Sequence, residues 1–182
     1  TRHLDELVLD ELDFVNEDFV LNDDDYLPLK KKINSLIALS EALDYDDPKF
    51  EALLKIIEEK QKLLNNKIIL FSSFRHTLGY LYKKLNQVYR IGLIHGSVPD
   101  DDRVAIRNRF SLKKEDTNAL DILLFSDVGC EGLDYQMCDC LINYDLPWNP
   151  MRIEQRIGRI DRNGQKSESV AIYNMITPGT ID

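Results

Sequence analysis

Residues 149–165, NPMRIEQRIGRIDRNGQ, crowd arginines and a glutamine into one short stretch. On a helix turning roughly 100° per residue, Gln155, Arg152, Arg156, Arg159 and Arg162 share a sector about 120° wide. Ile153, Ile157 and Ile160 share another, about 60° wide. Such a helix buries isoleucines and presents guanidinium groups together. Gly158 borders the polar sector and would let a ligand approach the backbone, although glycine inside a helix costs about 1 kcal/mol relative to alanine. One reading is a plain charged surface face. Against it, solvated faces mix signs for i,i+4 pairing, and here only Glu154 and Asp161 oppose the arginines. Clustered guanidinium groups repel one another unless an anion compensates. A phosphate chain suits them, because their planar forks bind it bidentately.

The elements that would carry this segment follow from apolar patterning. From Lys67 onward, short apolar runs alternate with amphipathic stretches. Strands are expected at 67–72, 90–95, 121–126, 140–144 and 170–176, and helices at 77–87, 101–111 and 150–162. Continuous apolar strands alternating with helices imply an α/β fold, a parallel sheet covered on both faces. The strand-to-helix loops then share one edge, where ligands bind in such sheets.

The first 66 residues read as helical. Leu4, Val8, Leu12, Val15 and Phe19 form one apolar series, followed by a break at 22–28. Ile33, Leu36, Ile37, Leu39 and Leu43 form a second series. Asp46, Asp47 and Pro48 read as the start of a third helix, with Phe50, Leu53, Leu54, Ile57 and Leu64 on its apolar face and Asn65-Asn66 at its end.

Charge separates the same two regions. The chain has 182 residues and a formal net charge of -9. Residues 1–29 hold ten acids against Arg2 alone, so the rest of the chain is balanced. The leader therefore accounts for the acidic pI of about 4.9. This excludes a protein that coats nucleic acid by bulk charge, while leaving room for a local basic face. A 43% hydrophobic share excludes an intrinsically disordered chain. No apolar run reaches the ~18–20 residues of a membrane span, and the start TRHLDELVLD carries no signal-peptide pattern. The three cysteines, Cys130, Cys138 and Cys140, are too few for a disulfide framework and fit a cytoplasmic setting. His95, Cys138 and Cys140 are too few and badly spaced for zinc, so no metal site is expected.

The arginine-rich segment resembles the last motif of superfamily-two helicases and translocases. Its continuation through Asn163-Gly164-Gln165 resembles the Swi/Snf branch. Other segments agree in order and spacing over 49–182: KIILFSSFRHT at 67–77, LIHGSVPDDDR at 93–103, SDVGCEGLD at 126–134 and CLINYDLPWNP at 140–150. The motif at 126–134 lacks the glycine-rich form of eukaryotic remodellers, and Asp161 stands where they usually carry histidine. Both features are similar to bacterial Swi/Snf proteins of the RNA-polymerase-associated type.

The resemblance implies a RecA-like second lobe at 49–182, preceded by an acidic helical leader or insertion at 1–48. It implies a motor that hydrolyses ATP between two lobes and tracks along double-stranded DNA. Arg159 and Arg162 would be arginine fingers on the γ-phosphoryl group, and Gln155 would sense that phosphate. Gly132, Asp134 and Gly158 would line the nucleotide, with Asp134 on the ribose. Nucleic-acid contacts would come from Ser72, Ser73 and Arg75 after the first strand. His95, Gly96 and Ser97 would follow the second, and Ser126, Asp127 and Val128 the third. Phosphate contacts of this kind position a nucleic acid without reading its sequence. Magnesium and most of the ATP site would belong to an upstream lobe of the same polypeptide. No Gly-Lys-Ser/Thr loop occurs here, so the fragment alone is expected to be inactive. Asp10-Glu11-Leu12-Asp13 imitates the magnesium-binding helicase motif but lies within the helical acidic pattern, without the lobe that must precede it.

Other readings stand beside this one. The serines also suit helix caps, and Asp134 also suits a strand-end turn. Trp148, between two prolines, is expected to pack at its turn, with a contact role as the alternative. A non-catalytic RecA-like module binding nucleic acid or protein, and a lobe of a strand-unwinding helicase, are the rival functions.

Overall fold

The computed structural model describes residues 23–41, 47–127 and 134–177. The chain divides after Pro48 into two units.

In the first unit, helix α1 runs Asp23–Glu41. It starts five residues before Pro28, so the break expected at 22–28 is corrected. Pro28 lies in the second turn, where its ring removes the hydrogen bond to the Asp24 carbonyl. Leu29, Ile33, Leu36, Ile37 and Leu39 of α1 are exposed. The apolar series from Leu4 to Phe19, the acidic imitation at 10–13 and Leu43 lie outside the described residues.

The second unit is built on a five-stranded sheet in the order β2-β3-β1-β4-β5. Its strands are β1 (Ile68–Phe71), β2 (Ile91–Ile94), β3 (Ile122–Phe125), β4 (Cys140–Asn143) and β5 (Ala171–Asn174), and every pairing is parallel. Helices α2 (Pro48–Gln61), α3 (Arg75–Leu85), α4 (Asp100–Ser111) and α5 (Pro150–Ile157) accompany it. The expected α/β architecture is therefore present.

Two apolar clusters sandwich the sheet, because alternate strand residues point to opposite faces. Ile68, Leu70, Ile122, Leu124 and Ile142 join Leu53 and Ile57 of α2 and Leu78, Leu81 and Leu85 of α3. Ile69, Phe71, Leu123, Phe125 and Leu141 join Phe110 of α4 and Ile160 beyond α5. β1, β3 and β4 are buried along their whole length, whereas β5 is a largely exposed edge.

α2 stops at Gln61. Lys62 and Leu63 bond back three residues, to Glu59 and Lys60, as the last turn tightens. Leu64, expected on the buried face, falls beyond this turn and is 92% exposed.

Connections leave β1 toward β2 on one side and β4 toward β5 on the other. The crevice between the carboxyl ends of β1 and β4 is thus the topological switch point of the sheet.

Candidate functional site

The carboxyl ends of β1, β3 and β4 converge on one side chain, Arg156 of α5. Asn149 caps this helix, its Oδ1 accepting from Met151 N at 3.0 Å, and Pro150 begins it. Arg156 Nε donates to Asp127 Oδ1 at 2.7 Å, and Nη2 lies 2.6 Å from the same oxygen. Nη1 donates to Asn143 Oδ1 at 2.9 Å and to the Asp145 carbonyl at 3.1 Å. Nη2 also donates to Ser73 Oγ at 3.2 Å, and the guanidinium stacks 5.0 Å above the Phe71 ring. Arg156 is 1% exposed. A buried guanidinium needs a carboxylate and a full set of acceptors, and this one has both.

The rest of the network is equally closed. Ser73 Oγ donates to Asp127 Oδ2 at 3.0 Å, and Arg152 Nη1 reaches that oxygen at 3.3 Å. Ser73 N donates to Asp145 Oδ1 at 2.8 Å, and Ser72 Oγ donates to Asp145 Oδ2. Asn143 Nδ2 donates to Asn174 Oδ1 of β5 at 2.8 Å.

Two expectations about the arginine helix are corrected. α5 ends at Ile157, not at residue 162. Gly158 forms its cap, and Arg159 and Ile160 bond back three residues, to Arg156 and Ile157. A poor helix former and a change to tighter turns end the helix there. Arg156 is also no part of an exposed arginine face. It points inward, while Arg152 and Gln155 are exposed.

The segment beyond the helix carries Arg159 and Arg162. Arg159 O accepts from Tyr135 N at 2.8 Å. Arg159 Nε is buried with no hydrogen-bond partner among the described residues. Arg162 Nη1 is paired with Asp134 Oδ1, and both side chains are partly exposed. Gln165 Nε2 donates to the carbonyls of Cys138 and Ile160, each at 2.8 Å. Gly164, at φ +98°, a conformation that favours glycine, lies in the turn closed by Gln165 N donating to Arg162 O at 2.9 Å.

The expected nucleic-acid contacts fall into distinct groups. Ser73, Gly96 and Ser97 are exposed, and Arg75 and Asp127 are half-buried. Ser72, His95 and Ser126 are buried, so an outward contact from these three side chains is corrected. Ser72 Oγ accepts from Phe74 N at 3.2 Å besides binding Asp145, which makes it a support for the loop. Arg103 donates to the carbonyls of Val98, His95 and Gly96 and shapes the loop after β2. Val128 and Gly132 lie outside the described residues. Gly158 is half-buried at φ -61°, and a Cβ there would meet Glu154 O at 3.3 Å.

Trp148 is 88% exposed, so packing at its turn is corrected. With Phe74, Leu146, Pro147, Pro150 and Ile153 it lines an open groove of 680 Å³ at the switch point, beside Ser73 and Arg152. Among the described residues no group of three His, Cys, Asp or Glu could hold a metal ion. No helix there is long and apolar enough to cross a membrane.

The chain matches a known family. Residues 48–164 match the helicase conserved C-terminal domain, and the chain belongs to that family. The chain is 37% identical over 168 residues to the uncharacterised ATP-dependent helicase YqhH of Bacillus subtilis, covering 89% of this chain and 26% of that protein. It is 31% identical to the probable ATP-dependent RNA helicase MJ0669 of Methanocaldococcus jannaschii, covering 82% of this chain and 39% of the relative. The chain thus spans well under half of these relatives. Among solved structures, the C-terminal part of the Fun30 ATPase domain superposes with a TM-score of 0.65 at 25% identity, covering 85% of this chain and 51% of that one. The Pyrococcus furiosus Hef helicase domain gives 0.61 at 26%, covering 83% and 30%. The fold is the RecA-like fold of helicase C-terminal domains.

Sequence reasoning placed Arg156 with the exposed arginines and missed its role. The signal available was its company: Asp127, Asn143 and Asp145 are polar residues ending apolar strands, and each needs a buried partner.

Proposed function

We propose that this chain is the second motor lobe of an ATP-dependent double-stranded-DNA translocase of the Swi/Snf type, similar to the bacterial RNA-polymerase-associated branch. The observation that carries the reading is the 155–162 segment. It presents an exposed Gln155, an Arg159 whose buried Nε has no hydrogen-bond partner among the described residues, and a partly exposed Arg162. A buried N–H left unmatched costs free energy, and a phosphoryl oxygen would match it. The residues present therefore fit a nucleotide. Arg159, Arg162 and Gln155 would hold its terminal phosphates, with Asp134 at the ribose. ATP supplies the phosphoryl group whose transfer to water drives the motor. Guanidinium groups at that position neutralise developing charge and are worth about 10³–10⁵ in rate. The Arg162–Asp134 pair is exposed enough for a phosphoryl oxygen to compete for the guanidinium.

Magnesium would be held by an upstream lobe. On the nucleic-acid side, Ser73, Arg75, Gly96 and Ser97 offer donors for backbone phosphates. Trp148 and Phe74 offer an apolar contact beside them. The 1–48 segment would be an acidic leader or insertion, and the lobe alone would not turn over.

A second reading is an RNA helicase lobe, favoured by the relatives named as ATP-dependent RNA helicases, such as RhlB of Shewanella woodyi at 36% identity over 126 residues. Turnover of the intact polypeptide with duplex DNA or single-stranded RNA as activator separates the two. Stimulation by duplex DNA, abolished by Arg159→Ala or Arg162→Ala with DNA affinity retained, supports the first. Stimulation by RNA alone supports the second. Normal turnover by both variants refutes the finger assignment.

A further inference from the structure

A second cleft opens at the end of the sheet where the strands begin. It is bounded by residues 64–67 before β1, 111–115 between α4 and β3, Met137 before β4 and 166–167 before β5. The arginine segment belongs to the opposite, carboxyl edge. The cleft measures 640 Å³, within the range of small-ligand sites, about 300–1,000 Å³. From this geometry we propose that the amino edge of the sheet carries a second nucleotide-binding site. The proposal does not rest on the motor reading above.

Charge calls for phosphate. Lys67, Lys113, Lys114 and Lys166 line the cleft against one carboxylate, Glu115. Lys113 and Lys166 are exposed and make no ion pair among the described residues. Lys114 Nζ is held beside the cleft by the Gln61 carbonyl, at 2.6 Å.

Two buried side chains distinguish the cleft from a lysine-rich surface. Lys67 is 5% exposed, and its ammonium donates to the Leu120 carbonyl at 2.6 Å. An ammonium has three donors, and this carbonyl is its sole acceptor among the described residues. Burial pulls the Lys67 pKa below its ordinary value, and the charge of Asp121 opposes that only in part. An anion in the cleft would oppose it further. Asn66, beside it, is 1% exposed. Its Nδ2 donates to Gln61 Oε1 at 2.9 Å and to Asp121 Oδ1 at 2.6 Å, while its Oδ1 has no hydrogen-bond partner among the described residues. An unmatched buried acceptor costs free energy, and an N–H or O–H of a ligand would match it.

The third element is apolar. Leu64, left outside α2 and exposed, forms a wall with Leu112 and Met137. A bare phosphate answers only the lysines. A nucleotide answers all three: its phosphate oxygens meet the ammonium groups, its base covers the apolar wall, and its amino or hydroxyl groups supply the donor that Asn66 lacks.

Calorimetric titration of the intact polypeptide with ADP tests this. An ADP equivalent is expected that survives Arg159→Ala with Arg162→Ala, because those residues lie at the other edge. The same equivalent should weaken about tenfold in Lys113→Glu with Lys166→Glu, which replaces two charge-assisted contacts by repulsion. Both lysines are exposed, so the urea midpoint should not move. Should it fall, Lys113→Gln with Lys166→Gln is read instead, with a loss of about threefold expected. ADP binding indifferent to both pairs of lysine substitutions would overturn the proposal. Pyrophosphate binding as tightly as ADP would reduce the cleft to a phosphate site and overturn the nucleotide assignment. Lysine substitutions that weaken duplex DNA binding and leave ADP binding intact would overturn it in favour of a nucleic-acid face.

Discussion

Arg156 and Asp127 meet through two nitrogens and one oxygen, Nε at 2.7 Å and Nη2 at 2.6 Å from Oδ1, in a site where the arginine is 1% exposed and the carboxylate side chain 14%. The pair joins the end of β3 to α5 across the carboxyl edge of the sheet. Removing Arg156 leaves Asp127 with Ser73 Oγ and the exposed Arg152 as partners. Arg156→Met should destabilise the lobe by about 3–5 kcal/mol, the usual cost of an unpaired buried charge. Urea unfolding measures it. A loss below about 1 kcal/mol would place the pair among weak surface bridges.

Trp148 is the sole tryptophan of the chain and is 88% exposed. Its emission should be that of a solvated indole, fully open to quenching by iodide. Nucleic acid seated in the groove beside Ser73 and Arg152 should shield it. Trp148→Ala should weaken nucleic-acid binding by about 1–3 kcal/mol, the range for loss of one aromatic contact. Unaltered iodide quenching at saturating nucleic acid would remove Trp148 from the interface.

Asp121 supplies an acid-dependent element far from this edge. Burial pushes its carboxyl up. Hydrogen bonds from Arg90 and Asn66, with the charges of Arg90 and Lys67, outweigh that and hold it below its ordinary value of 3.8. The Arg90 contacts are both 2.7 Å. The folded state therefore binds this proton less readily than the unfolded chain. The resulting stability is present above the unfolded value and is lost as pH falls through the lowered one. Asp121→Asn should flatten the stability profile below about pH 4 and cost about 1–3 kcal/mol at pH 7. Chemical denaturation across pH 2–7 reads both.

Gly92 lies in β2 where a Cβ would come within 2.6 Å of Leu123 Cδ2 and 2.9 Å of Ile106 Cγ2. Gly92→Ala overpacks the contact between β2 and α4. It should destabilise by about 1–3 kcal/mol, read as a lower urea midpoint at an unchanged slope.

Much of the architecture was legible because it rests on local pattern. The apolar runs at 68–71, 122–125 and 140–143 had to be buried strands, and their alternation with helices required a parallel sheet. Pro48 with its preceding acids announced a helix start, and α2 begins there. Boundaries were less legible. α5 stops at Gly158 because tight turns take over from the helix, and a helical projection continued past that glycine drew Arg159 and Arg162 onto a face they do not share.

By itself, the sequence determined which segments are apolar strands, which are amphipathic helices, and that an arginine-rich cluster sits after the fourth strand. The strand order alone decided that β1 and β4 lie side by side and part in opposite directions. That juxtaposition brings Ser73, Asp127, Asn143 and Asp145, between two and 72 residues apart in the chain, to one guanidinium. Spacing along a helix cannot reveal such a partner set. Whether an arginine turns inward depends on acceptors supplied by other strands, and burial of its charge becomes favourable only once they are all in place.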